Sequence, residues 1–253
     1  ARAHLQRLLQ HVYRTPPHGR WRINISVHSL NKEPALVRRV LERQVTDYPW
    51  DIPAALRLAT EQGNAAEYEA SIATLRAALA FDPERVSLLG NLSVAAYRAG
   101  KGDDAIAWAR QSVEVAPKEA STHDTLGWIL ESLGRSEEAE QAYQEAVSLD
   151  PGNPSYALRT INLLRSSGRL HEAQEKLESI GPIGDDRVRK RVETQKMAIH
   201  EALGQPHAAL ELRRARLAAL PADTPITQRL VEYQPLMHSL MFAGERDEAA
   251  ALY

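Results

Sequence analysis

The chain has no cysteine among its 253 residues, which excludes disulfides, thiolate zinc sites and cysteine nucleophiles. It lacks any apolar run near the ~20 residues that a bilayer span needs, and its opening, alanine first within a polar helical pattern, carries no signal-peptide signature. No GxGxxG, P-loop or GxSxG string occurs, so phosphate-cradling loops and nucleophile elbows are missing. Excess charge of one sign is missing too. Lys and Arg number 31 against 33 Asp and Glu, leaving -2, and no global field recommends nucleic acid as a partner. The charge is nevertheless segregated, with +6 over residues 1–50, -9 over 51–185 and +1 over 186–253.

What is present is a period. Pro49, Pro83, Pro117 and Pro151 stand 34 residues apart, Gly100, Gly134 and Gly168 keep the same step, and so do Ala105, Ala139 and Ala173. Three residue types sharing one period at constant offset mark a repeat, and each has a mechanical reason. Gly134 follows the apolar stripe Leu126, Ile129, Leu130 and Leu133, where a helix end wants a residue tolerant of positive φ. Ser136 is placed to cap a second helix, whose acidic first turn, Glu137 and Glu138, suits the helix dipole. Ala139 is small where two antiparallel helices must approach closely, and Asp150-Pro151 ends the second helix because proline cannot continue it. The unit is a helix–turn–helix hairpin.

In length and pattern this unit resembles the tetratricopeptide repeat. His123, Leu126, Gly127, Leu130, Ala139, Tyr143, Ala146 and Pro151 follow the family pattern, as do Leu89, Leu92, Ser93, Ala105 and Pro117 one repeat earlier. The next repeat departs from it, with Ile161 and Ile180 at two small packing positions and Asp185 where proline is expected. The resemblance implies an all-α fold over residues 1–253, a right-handed α-solenoid of stacked helix–turn–helix repeats, about seven counting partial ones. Residues 86–119, 120–153 and 154–189 are the clearest repeats and 18–51 and 52–85 are degenerate. Residues 190–229 and 230–253 diverge, the last truncated, and 1–17 is a partial repeat. "WRINISVHSL" alone reads as a strand, but the repeat phase makes it a first helix, carrying Trp21 on the family's aromatic site, with Pro34 opening the second. Gly63 comes three positions early and predicts a longer turn in repeat 52–85. Insertions are expected near "GPIGDD" and "PADTP", and a kink at Pro235. Neither end supplies a polar cap, so the chain reads as a segment of a longer array.

No catalytic constellation emerges, and no cofactor or metal is called for. His200-Glu201 and His171-Glu172 suggest a metalloprotease helix, but a second histidine at i+4 is required, and residues 204 and 175 are Gly and Glu. The acidic pairs Asp103-Asp104 and Glu137-Glu138 sit at helix starts, where the dipole explains them. Basic clusters at Arg38–Arg39, in "RVRKR" (Arg187, Arg189, Lys190, Arg191) and in "RRAR" (213–216) admit two explanations. One is an anionic polymer as partner. The preferred one is solvated helix faces with local partners, such as Arg38 with Glu42 at i,i+4.

The resemblance implies that first helices line a concave groove. By phase its lining is Asn91, Val94, Tyr97 and Arg98, then Asp124, Trp128 and Glu131, then Arg159, Asn162 and Arg165. Trp128 stands out as a large side chain off the hairpin's own packing stripe, with packing between repeats as the equal alternative. The family's clamp for a peptide's terminal carboxylate requires Lys, Asn, Asn and Lys where Gly90, Val94, Thr125 and Ser155 stand, and only Arg159 fits. The expected function is therefore a non-catalytic scaffold that holds a protein or peptide partner in its groove, without nucleic acid and without a membrane span. Its parent is expected to be a large assembly protein of the envelope or of secretion, similar in architecture to exopolysaccharide-export proteins. The alternative is the recognition arm of an enzyme whose catalytic part lies elsewhere.

Overall fold

Five glycines take left-handed backbone angles, Gly100, Gly134, Gly168, Gly204 and Gly244, with φ between 71° and 85°, and each closes a helix in a computed structural model that describes residues 34–181, 185–221, 223–246 and 249. The expectations for Trp21–Leu30 and for residues 1–17 lie outside these residues. Twelve helices and no strand occur among the described residues. They are α1 (Pro34–Asp47), α2 (Ile52–Asn64), α3 (Tyr68–Leu79), α4 (Val86–Arg98), α5 (Gly102–Val115), α6 (Ala120–Ser132), α7 (Ser136–Leu149), α8 (Pro154–Ser166), α9 (Leu170–Glu178), α10 (Asp186–Ala202), α11 (Pro206–Ala218) and α12 (Ile226–Ala243). The chain divides into two compact units, Ala1–Ala139 and Glu140–Tyr253.

The hairpin turn repeats atom for atom. Gly100 N–H donates to the Tyr97 carbonyl at 2.9 Å and Lys101 N–H to the Ala96 carbonyl at 2.9 Å; Gly134 and Arg135, and Gly168 and Arg169, do the same. This paired bonding satisfies the orphan carbonyls of a helix end and needs a positive φ at its first residue. The turn after α2 uses the same bonds, from Ala66 to Gly63 and from Glu67 to Gln62, and Ala66 stands at φ 60°. The longer turn expected from Gly63 is thus corrected: the turn is in register, with an alanine in the glycine's place. An L-residue there costs roughly 1–2 kcal/mol, partly offset because alanine leaves the unfolded chain less freedom. Ala66→Gly is therefore expected to stabilise unit 1 by up to about 1 kcal/mol, read as a higher urea midpoint at unchanged slope.

Other boundaries follow local chemistry. Asp185, out of pattern for the family, caps α10 by accepting from Arg187 N–H at 2.8 Å and Val188 N–H at 2.9 Å. Asp51 caps α2 and Asn153 caps α8. α7 begins at Ser136 itself, with Ala139 N–H bonded to the Arg135 carbonyl, so the capping place falls one residue earlier than expected. α1 opens at Pro34, and α12 runs through Pro235.

The small repeat positions are closed. Ala105, Ala139 and Ala173 are all fully buried. In unit 1, Val37 and Leu41 of α1 pack with Ala54 and Leu58 of α2, and Leu88, Leu89 and Leu92 of α4 are wholly buried. In unit 2, Leu158, Ile161 and Leu164 of α8 cluster with Ala173 and Leu177 of α9 and with Val192 and Ile199 of α10. A second cluster joins Leu210 of α11 to Leu236 and Leu240 of α12.

Ion pairs tie several hairpin turns to the second helix of the preceding repeat. Arg38 of α1 reaches Glu67 in the next turn at 2.5 and 2.7 Å and also holds Glu42 at 2.9 Å, the i,i+4 partner expected for it. Lys101 reaches Glu69 at 2.8 Å. In unit 2, Arg169 in the turn reaches Glu140 of α7 and Glu172 of α9, each at 2.5 Å. Arg38 and Glu140 differ by three 34-residue periods, as do Glu67 and Arg169. One structural position therefore carries the same ion pair twice with its charges exchanged. The hydrogen-bonded guanidinium of Arg38 holds the Glu67 carboxyl below its ordinary range, and Arg169 does so for Glu172.

Candidate functional site

In unit 1 the first helices α4 and α6 bound an open cavity of about 740 Å³. Its lining includes Ser87, Gly90, Asn91 and Val94 from α4, with Ser121 and Thr125 from α6. Gly90 has only open space where a Cβ would stand, and Asn91, exposed, donates its amide to the Ser87 carbonyl at 2.7 Å. Gly90, Val94 and Thr125, which stand where the carboxylate clamp would need Lys and Asn, together leave the cavity neutral at its floor. Charge enters at the rim, where Arg85 pairs with Asp82 at 3.8 Å and Glu119 accepts from the Ser121 hydroxyl at 2.6 Å.

Farther along the same helices Tyr97 meets Trp128 edge to face, with ring centroids 5.2 Å apart at 75°. Both rings are half-buried. The packing alternative for Trp128 corresponds to this contact between successive repeats, and part of the side chain stays exposed. Arg98 is exposed, while Asp124 and Glu131 are half-buried and engaged with neighbouring groups. Asn91, Tyr97, Arg98, Asp124, Trp128 and Glu131 all lie on α4 and α6.

In unit 2 the corresponding helices are α8, carrying Arg159, Asn162 and Arg165, and α10. Asn162 lines a smaller cavity, about 200 Å³, with Leu158 and, from α10, Lys190, Arg191, Thr194 and Gln195. The structure thus joins a residue named for the groove to two named for a basic flank. Of the other flank residues, Arg189 pairs with Asp186 at 2.6 Å and Arg187 is exposed. Thr194 and Gln195 are not legible as site residues in the sequence; their only signal is spacing, three and four residues beyond Arg191 on one helix.

The histidine-glutamate pairs have structural employment. His200 Nδ1 lies 2.8 Å from Gln205 Oε1, and Glu201 accepts from Arg213 at 2.9 Å and Ser239 at 3.0 Å, while Glu172 is held by Arg169. Among the described residues no group of three or more His, Asp or Glu side chains could hold a metal ion. No helix among them is long and apolar enough to cross a membrane.

Comparison with known proteins agrees with the geometry. The tetratricopeptide repeat family matches residues 84–151. Over 90 residues the chain is 35% identical to the small glutamine-rich tetratricopeptide repeat-containing protein 2 of Mycosarcoma maydis, a match covering 36% of this chain and 26% of that protein. Among solved structures, a tetratricopeptide repeat protein from Parabacteroides merdae superposes with a TM-score of 0.60 at 12% identity, over 90% of this chain and 87% of its own. PilF of Pseudomonas aeruginosa gives 0.57 at 15% identity, over 86% and 96%. A thermophilic member from Thermus thermophilus gives 0.53 at 22% identity, over 69% and 95%. At these identities the superpositions speak for the fold.

Proposed function

We propose, from the premise that the chain is a tetratricopeptide-repeat protein, that it is a non-catalytic interaction scaffold whose first helices hold a peptide or helix of a partner protein. The observation that supports this most is the α4–α6 cavity. Its size falls in the range of small-molecule sites, but such sites are mostly apolar with a few convergent polar groups. Here the lining is as polar as it is apolar, with several hydroxyls and a carboxamide, which suit the repeating N–H and C=O of an extended chain, with the Tyr97–Trp128 pair as the aromatic anchor. Asp103, Asp104, Glu137 and Glu138 all occupy first turns of helices, where the dipole accounts for them. A place in an envelope or secretion assembly rests on architecture alone, and purification of the chain with envelope membranes is its check.

The test is binding of peptides selected from a random display library on the wild-type chain. Trp128→Ala is expected to weaken them about tenfold, or ~1.4 kcal/mol. It should also lower the melting transition slightly, because the contact with Tyr97 contributes about 0.5–1.5 kcal/mol. Arg165→Ala, at an exposed position, separates the two effects: it should weaken peptides reaching unit 2 at unchanged melting. Full binding by both variants would place the binding surface elsewhere.

A further inference from the structure

Within that groove reading, on which the following rests, one segment of unit 2 has a chemistry of its own. The first two turns of α10 carry four cations within five residues, Arg187, Arg189, Lys190 and Arg191, at the helix end where the dipole disfavours positive charge. The local acids offset little of this. Asp185 is committed to capping the backbone and Asp186 to Arg189. Lys190 and Arg191 are exposed and form no ion pair with any described residue. Both border the 200 Å³ cavity whose other walls are Leu158 and Asn162 of α8 and Thr194 and Gln195 of α10. There the Gln195 Oε1 is covered from solvent and accepts no hydrogen bond among the described residues, and Asn162 likewise has no side-chain partner among them. Cations set against their own helix dipole, beside idle amides, are groups waiting for a ligand.

We propose that the α8–α10 face binds an acidic segment of a partner protein in extended form. Side-chain carboxylates meet Lys190 and Arg191, where the charge-assisted bonds are strongest. The carboxamide of Asn162 meets the peptide main chain, since it offers both a donor and an acceptor. The Asn162 carboxamide, which pairs with a peptide main chain as both donor and acceptor, decides for a peptide over a polyphosphate, which would use the two cations and leave the amide idle. No terminal carboxylate is required.

The experiment measures fluorescence anisotropy at low salt with three probes: an N-acetylated, C-amidated peptide rich in Asp and Glu with one central Leu, its Asn/Gln isostere, and polyphosphate. The acidic peptide should bind at least tenfold more tightly than the isostere, and its affinity should fall as salt rises. Lys190→Glu with Arg191→Glu should remove at least tenfold of that affinity at unchanged helical melting, because neither side chain has a partner to lose. Asn162→Leu should weaken the peptide severalfold and leave polyphosphate untouched. The proposal is overturned if the acidic peptide does not bind, or binds the double variant equally well. Polyphosphate binding more tightly than the peptide, with Asn162→Leu without effect on either, would make the face a polyanion site instead. An isostere that binds as well as the acidic peptide removes the charge proposal alone, whereas failure of the wider groove reading shows separately, at Trp128 in unit 1.

Discussion

Tyr143→Ala lowers stability by about 3–5 kcal/mol, the range for truncating a buried aromatic. Tyr143 is among the largest side chains in the chain with no exposed surface, and it sits one turn beyond Ala139 on α7, at the repeat's second aromatic position. Removing the ring empties a space that neighbouring helices cannot collapse into without breaking their own register. In a repeat array the loss is not spread evenly. Each repeat is stabilised by its neighbours, so the transition splits or broadens instead of shifting as one. Urea unfolding followed by circular dichroism, with hydrogen exchange locating the weakened helices, reads both features. Tyr143→Phe, which keeps the ring, should cost no more than ~1.5 kcal/mol. A loss below ~1 kcal/mol for the alanine variant would contradict this packing.

Ile161→Ala should cost about 2–4 kcal/mol, against the expectation of consensus design. The position belongs to Gly127 one period earlier, buried where α6 packs closely, so alanine moves Ile161 toward the family pattern. Pattern and packing disagree here, and the packing decides. Ile161 is wholly buried among Leu158, Leu164, Val192 and Ile199, with Ile180 resting against the cluster. A small residue restores the pattern and opens a cavity. Thermal melting checks the sign: if Ile161→Ala is neutral or stabilising, α10 does not pack on this side chain.

The hairpins were legible because their cause is local. Gly100, Gly134 and Gly168 announce a backbone angle that other residues resist, and the pattern around Ala139 and Tyr143 names the packed face. Ala66 was not legible, since alanine carries no turn signal and nearby Gly63 supplied a misleading one; the register is imposed there by the packing of α2 and α3. The positions proposed for a groove could be placed on α4 and α6 by phase, because 34 residues separate equivalent positions. Across "GPIGDD" the phase breaks. Asn162 and Arg191 were each singled out, but their meeting depends on how α10 docks after an irregular loop, and no periodicity encodes that. The unpaired Gln195 amide is a property of three-dimensional burial alone.

The exchanged ion pair gives equivalent modules opposite polarity at one contact. Arg38 faces Glu67, and Glu140 faces Arg169, so an array respliced to set α1 against the turn of Arg169 would oppose two guanidinium groups. The reciprocal splice would oppose two carboxylates. Polarity at one recurring contact thus favours one neighbour over another, though only weakly, because solvent screens pairs this exposed.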